Sequence, residues 1–252
     1  MVHALLSAGA KVDLQDEERA SPLHLACQEV HTEVVCALLS GGAKVDLQTI
    51  NGMTPLHMAC MNGHPELVRA LLSAEAKVDL LTKDGGSSPL HLASQGGHTK
   101  VERALLSAGA KVGMQNKDGG SPLHVASRGG HTEVVRAPLS AGAKVDMQTT
   151  NDGFTSLHIA CNRGHVEVAR TLLSAGAMAD LQTKGGASPL YMACENGHTE
   201  VVCALCPGGP VSTCVRPKVR PPCMRHAAWA TRSRYAPCYQ PEPRSTCGQK
   251  MA

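Results

Sequence analysis

The chain has 252 residues, 42% of them hydrophobic, yet its aromatic side chains are only three Tyr, one Trp and one Phe. A core without rings must be filled by Leu, Val, Ala and Met, which suits thin repeated layers better than one thick globular centre. No run approaches the 18 or more apolar residues of a membrane span and no basic-then-apolar leader opens the chain, so a cytoplasmic protein with reduced cysteines is expected. The formal charge of +3 averages two unlike parts: residues 1–206 carry 16 basic against 20 acidic side chains, residues 207–252 carry 8 against 1.

In chain order, residues 1–15 match the second half of a unit that then recurs. Complete units are read at 16–48, 49–81, 82–115, 116–148 and 149–182, with a truncated one at 183–206. SPLH at 21–24, TPLH at 54–57, SPLH at 88–91, SPLH at 121–124, TSLH at 155–158 and SPLY at 188–191 lie 33 or 34 residues apart, and each is followed by a GHTEV-like stretch and a variant of ALLSGGAKVDLQ. A fixed period of this size marks a repeat array. The opening half-unit lacks the polar cap that arrays need, and the chain reads as an internal fragment of a longer one.

Within a unit, Ser or Thr before Pro predicts an N-cap with Pro at the first helical position. A helix of about eight residues follows and ends near the Gly of the Gly-His pair. Pro65 and Glu33 open a second helix, whose Val34, Val35, Leu38 and Leu39 form one apolar stripe. Gly42, Gly109, Gly142 and Gly176 stand where a left-handed C-cap is wanted. Gly-Gly and Asp-Gly pairs such as Asp118-Gly119 are hairpin-turn chemistry. One unit is too small to bury a core, so stacking creates it.

TPLHMAC at 54–60 followed by GHPELVRALL at 63–72 resembles the ankyrin repeat. The resemblance extends over residues 1–206 in six units. It implies an all-α repeat solenoid of stacked helix-turn-helix units with short β-hairpin turns, whose hairpin tips and inner helices form a concave face for a protein or peptide partner.

His24, Cys27, His31 and Cys36 fall within the spacing of a zinc site. The histidines keep two columns, 24/57/91/124/158 and 31/64/98/131/165/198. The cysteines do not, since Cys27 becomes Ser94 and Ser127, and Cys36 becomes Arg69, Arg103, Arg136 and Arg170. A ligand set would not lose half its members, so both columns are read as scaffold, the histidines bonding backbone around the turns as the resemblance implies. No triad, phosphate loop or acid–base pair stands outside the repeating columns. No enzyme, cofactor, metal, nucleic acid or membrane partner is expected, and the chain is taken as a monomer.

Six residues depart from the pattern. Pro138 replaces a core Leu and predicts a kink or a cost of roughly 3 kcal/mol. Glu75 replaces a C-cap Gly, Val30 and Arg19 replace turn glycines, Gly113 replaces the Asp of Lys-Val-Asp, and Ser156 replaces the helix-starting Pro.

Columns that vary while the scaffold repeats are where a partner would touch. They include Gln28, Glu29, Gln95, Asn162, Glu195, Asn196 and Ile50. Met53, Met61, Asn62, Arg128, Phe154 and Arg163 are the chosen partner-binding residues, since aromatic and Arg side chains are common hot spots. The function expected is a non-catalytic interaction scaffold, with a regulatory repeat segment of a larger signalling protein as the alternative.

Residues 207–252 break the pattern and read as a disordered basic Pro/Cys-rich tail, with eight Pro among 46 residues. Yet Ser212-Thr213-Cys214 recurs as Ser245-Thr246-Cys247, 33 positions on. Dropping one base from codons for Val-Asp-Leu-Gln yields Ser-Thr-Cys, and the same shift turns Leu-Ser-Gly-Gly-Ala into the Cys-Pro-Gly-Gly-Pro of 206–210. The tail is therefore read as a further repeat translated out of frame.

Overall fold

The computed structural model describes residues 2–206; the tail and its frame-shifted reading lie outside the described residues. After α1 (Val2–Ser7), helices follow as inner and outer pairs: α2 (Pro22–Gln28) and α3 (Thr32–Ser40), α4 (Pro55–Asn62) and α5 (Pro65–Ser73), α6 (Pro89–Gly96) and α7 (Thr99–Ser107), α8 (Pro122–Gly129) and α9 (Thr132–Ser140), α10 (Ser156–Arg163) and α11 (Val166–Ser174), α12 (Pro189–Glu195) and α13 (Thr199–Leu205). Inner helices pack on the next inner helix and outer helices on the next outer one. This is a helical repeat solenoid.

Sequence chemistry accounts for the helix ends. Thr54, Ser88, Thr155 and Ser188 are extended N-cap residues whose side chains accept the N3 backbone N–H. Such a cap is worth about 1 kcal/mol. Leu23, Leu56, Leu90, Leu123 and Leu157 are buried one per layer on the inner helices, facing Leu38, Leu71, Leu105, Pro138 and Leu172 of the outer ones.

The expected hairpins are turns, and no strand forms among the described residues. Most are closed by a single backbone bond, as from the Thr49 N–H to the Met53 carbonyl at 2.9 Å or from Asn116 to Gly120 at 2.9 Å. In the two 34-residue units the ring is one residue wider, Thr82 to Ser87 and Thr149 to Phe154, so the added residue sits in the hairpin. Turn tips tolerate such insertions because no core contact is displaced.

The departures behave as their chemistry dictates. Arg19, Val30 and Glu75 take up φ of 61°, 62° and 63°, the left-handed conformation of the glycines they replace. Ser156 is fully buried with a hydroxyl that has no hydrogen-bond partner. Pro138 is buried inside α9, which still runs nine residues like α7 and α11. Its cost therefore lies in the missing N–H bond and the lost leucine, while the helix keeps its length.

Candidate functional site

The histidine columns stitch the repeats together in both directions. In the first column, His24 Nδ1 accepts the Ser21 backbone N–H at 3.1 Å, which places the ring proton on Nε2, and Nε2 donates to the Met53 carbonyl of the next repeat at 3.1 Å. His91 reaches the Gly120 carbonyl at 3.0 Å, His124 that of Phe154 at 3.1 Å and His158 that of Ala187 at 3.1 Å; His57 is shared between Leu80 and Ser87. The imidazole thus takes the place of Glu in a capping box and bonds the neighbouring unit with its other nitrogen. Burial lowers the pKa of all five rings, that of His57 to about 4. They are neutral at pH 7, and both nitrogens are occupied.

The second column points back. His98, His131, His165 and His198 donate through Nε2 to the carbonyls of Met61, Gln95, Arg128 and Asn162 of the preceding repeat at 3.1–3.2 Å. Each ring lies over a turn glycine of that repeat. A Cβ would come within 2.8 Å of the ring at Gly97 and Gly130 and 2.7 Å at Gly164. Val30 brings a side chain to the equivalent place below His64, which makes no such bond; the Gln28 carbonyl accepts instead from Asn62 Nδ2 at 2.8 Å. Cys27, Cys60 and Cys161 are buried apolar groups, and desolvation raises their thiol pKa, to about 12 for Cys27 and Cys161. Thiols held protonated in this way are poor ligands. Of the zinc-like pattern, Cys27 is a core thiol, His24 a stitching imidazole and Cys36 an exposed side chain on α3.

With those columns consumed by the scaffold, the variable ones remain. Met53 is half-buried in the hairpin before α4. Met61 ends α4 46% exposed, and Asn62 beside it spends its amide on Gln28. Arg128 and Arg163 are exposed at the ends of α8 and α10. Phe154 is half-buried, edge-on to His158 with ring centroids 5.9 Å apart. The fold thus brings Met53, Met61 and Asn62 together in one repeat. It leaves Arg128, Phe154 and Arg163 two and three repeats away.

The sequence reading passed over one column. Leu25 is 50% exposed, and Met58, Leu92, Val125 and Met192 are half-exposed at the same place in their helices. These residues lie three positions before the variable Gln28, Met61, Gln95, Arg128 and Glu195, a spacing that puts both on one helix face. Leu25, Ile50 at 49% exposure and Met61 are thus large exposed apolar side chains on α2, on the hairpin that follows and on α4. Among the described residues no His, Cys, Asp or Glu group is arranged to hold a metal ion, and no helix is long and apolar enough to cross a membrane.

Comparisons with known proteins agree with the geometry. Residues 1–84, 75–149 and 138–213 each match the family model for ankyrin repeats in three copies. Among solved structures, the crystal structure of the ankyrin repeat domain of Bcl-3, described as a unique member of the IkappaB protein family, aligns with a TM-score of 0.70 at 30% identity, over 81% of this chain and 90% of that one. No curated protein sequence matches the chain.

Proposed function

Because the chain belongs to the ankyrin-repeat proteins, whose repeats mediate protein–protein interaction, we propose that it is a non-catalytic, monomeric cytoplasmic scaffold that holds another protein or a peptide on the concave face of the array. The reading rests on one observation: the histidine columns are largely spent on bonds between repeats, whereas large apolar side chains such as Leu25, Ile50 and Met61 stand exposed on the inner helices and hairpins. Met53 and Met61, with the polar Asn62 beside them, make one contact region, and Arg128, Phe154 and Arg163 a cationic and aromatic one.

Peptides selected from a random display library against the purified chain test the face. Leu25→Glu with Met61→Glu is expected to weaken the selected peptides by ten-fold or more, on the scale of lost hot spots. Arg69→Ala with Arg170→Ala, on the outer helices, is expected to leave them bound. The opposite pattern overturns the assignment.

A further inference from the structure

Arg19, Val30, Glu75 and Ser156 depart from the repeat in other units, but a group of departures meets in the middle of the array. Glu102 stands in the outer-helix column that holds Val35, Val68, Val135, Ala169 and Val202 elsewhere, and it is fully buried. Its Oε1 accepts from the Ser94 hydroxyl at 2.9 Å, and its Oε2 has no partner. Ser94 and Ser127 replace the cysteines that other layers bury at the same place; the Ser127 hydroxyl turns back to the Leu123 carbonyl at 2.7 Å. On the outer side Leu105 is followed by Pro138 where each other complete repeat carries Leu. The Asp column supplies a bond between repeats, from Lys44 N–H to Asp13, Lys77 to Asp46, Lys111 to Asp79 and Met178 to Asp146, at 2.9–3.1 Å. Gly113 leaves the Lys144 N–H without that acceptor.

All of these changes fall in, or beside, the layer between α6–α7 and α8–α9. The buried apolar side chains divide at the same place: one cluster runs from Leu23 to Ala110 and a second from Leu123 to Val202, with no buried apolar residue in common. The histidine bonds survive there, His91 to Gly120 and His131 to Gln95. The next interface lacks the hairpin bond of the Thr150 amide and holds the unpartnered Ser156 hydroxyl, but its buried apolar side chains belong to one cluster.

We propose that this layer is a seam at which the array yields first, so that the repeats before and after it open and fold as two cooperative units. In a uniform array each repeat is held by its neighbours, so protection rises from the ends to the middle. A weak central layer reverses that order.

Glu102 also makes the seam sensitive to pH. Desolvation raises its pKa from 4.5 to about 8, against smaller opposing effects of the Ser94 hydroxyl and Arg103. The helices packed on α7 are α5, α6 and α9. Of their charges, Glu66 pairs with Arg69 at 3.8 Å and Glu133 with Arg136 at 2.8 Å, all exposed, while the His91 ring is bonded to Gly120. On α7 itself Lys100 and Arg103 are exposed, and the half-buried N-cap His98 is bonded to the Met61 carbonyl. A carboxyl whose folded pKa is raised is tolerated in full below pH 4.5; the tolerance is lost as pH rises and gone above about 8.

Hydrogen exchange on the full chain tests the seam. At pH 7 the amides of α7 and α9 are expected to exchange about ten-fold faster than those of α5 and α11, after correction for intrinsic rates. Glu102→Val with Gly113→Asp, which restores the repeat pattern, is expected to slow them by on the order of 100-fold, the factor by which ionisation in the unfolded chain favours opening. Glu102→Gln keeps the side chain's size and is expected to remove the extra exchange that builds up between pH 4.5 and about 8. Protection that peaks at α7–α9 in the parent overturns the proposal, as does fast exchange confined to α9, which would make Pro138 a local defect.

Discussion

Val30→Gly is the substitution whose effect can be worked most fully from the structure. Val30 is a β-branched residue at φ 62°, where left-handed backbone costs about 1–2 kcal/mol. Its removal also frees the place where His64 can descend on the turn and donate to the Gln28 carbonyl, as His98 does to Met61 at 3.1 Å. That bond contributes about 1 kcal/mol. Against this, the half-buried valine packs on the core, and its loss costs about 1 kcal/mol. The added chain freedom of glycine takes roughly 0.5–1 kcal/mol more. The balance is a gain of about 1 kcal/mol, or 2–4 °C in Tm for a domain of this size. Urea unfolding of Val30→Gly, His64→Ala and the double variant should show a coupling of about 1 kcal/mol between the two sites. If Val30→Gly is no more stable than the parent, or the two changes simply add, the stitching role given to the second histidine column is wrong.

Three further outcomes are expected, two from the structure and one from the sequence. Ser156→Pro removes a buried unpartnered hydroxyl and supplies the preferred first helical residue; it is expected to raise stability by about 1–2 kcal/mol, read as a shift in urea midpoint. The neutral His57 ring, with its pKa lowered from 6.5 to about 4, gives stability that is whole above pH 6.5 and lost as pH falls towards 4, by about 3 kcal/mol in all. His57→Gln should therefore unfold more easily at pH 7 yet lose less between pH 7 and 5, and an unchanged pH slope would refute the neutral-ring argument. Sequencing the transcript across the codons for Leu205 to Cys214 is expected to show one more base, and native tryptic peptides from residues 207–252 would contradict the frame-shift reading.

The period, the N-caps and the C-cap glycines were legible because each is a local requirement: a φ value, an orphan N–H, a short apolar stripe. Arg19, Val30 and Glu75 could be placed in left-handed backbone from their column alone. The double use of histidine was less accessible, since nothing in T-P-L-H says which nitrogen carries the proton or which carbonyl of the next repeat it meets. Leu25 was missed for a different reason. Its column is apolar in every repeat and so looks like core, and only the packing of α2 against α4 shows that it stands outside the layer. Asn62 varies and is read as a contact residue; its amide also bonds the Gln28 carbonyl, the acceptor that His64 does not reach above Val30.

The placement of the seam bears on how a partner would be held. Met53, Met61 and Asn62 lie before it, and Arg128, Phe154 and Arg163 after it. A partner that grips both sets binds only the closed array, and at a concentration one hundred times its Kd adds about 2.7 kcal/mol to closure. That is close to the roughly 3 kcal/mol by which a buried Glu102 with a pKa of about 8 opposes closure at pH 7. Such a partner should slow exchange in α7 and α9 even though neither helix touches it, and its affinity should fall as pH rises towards 8. In the Glu102→Val, Gly113→Asp variant the array is already closed, so the partner should bind more tightly and with less dependence on pH. A partner confined to the Met53–Met61 side should do none of this. Measuring affinity for one selected peptide at pH 6 and 8.5, in parent and variant, distinguishes a clamp across the seam from a grip on one half of the array.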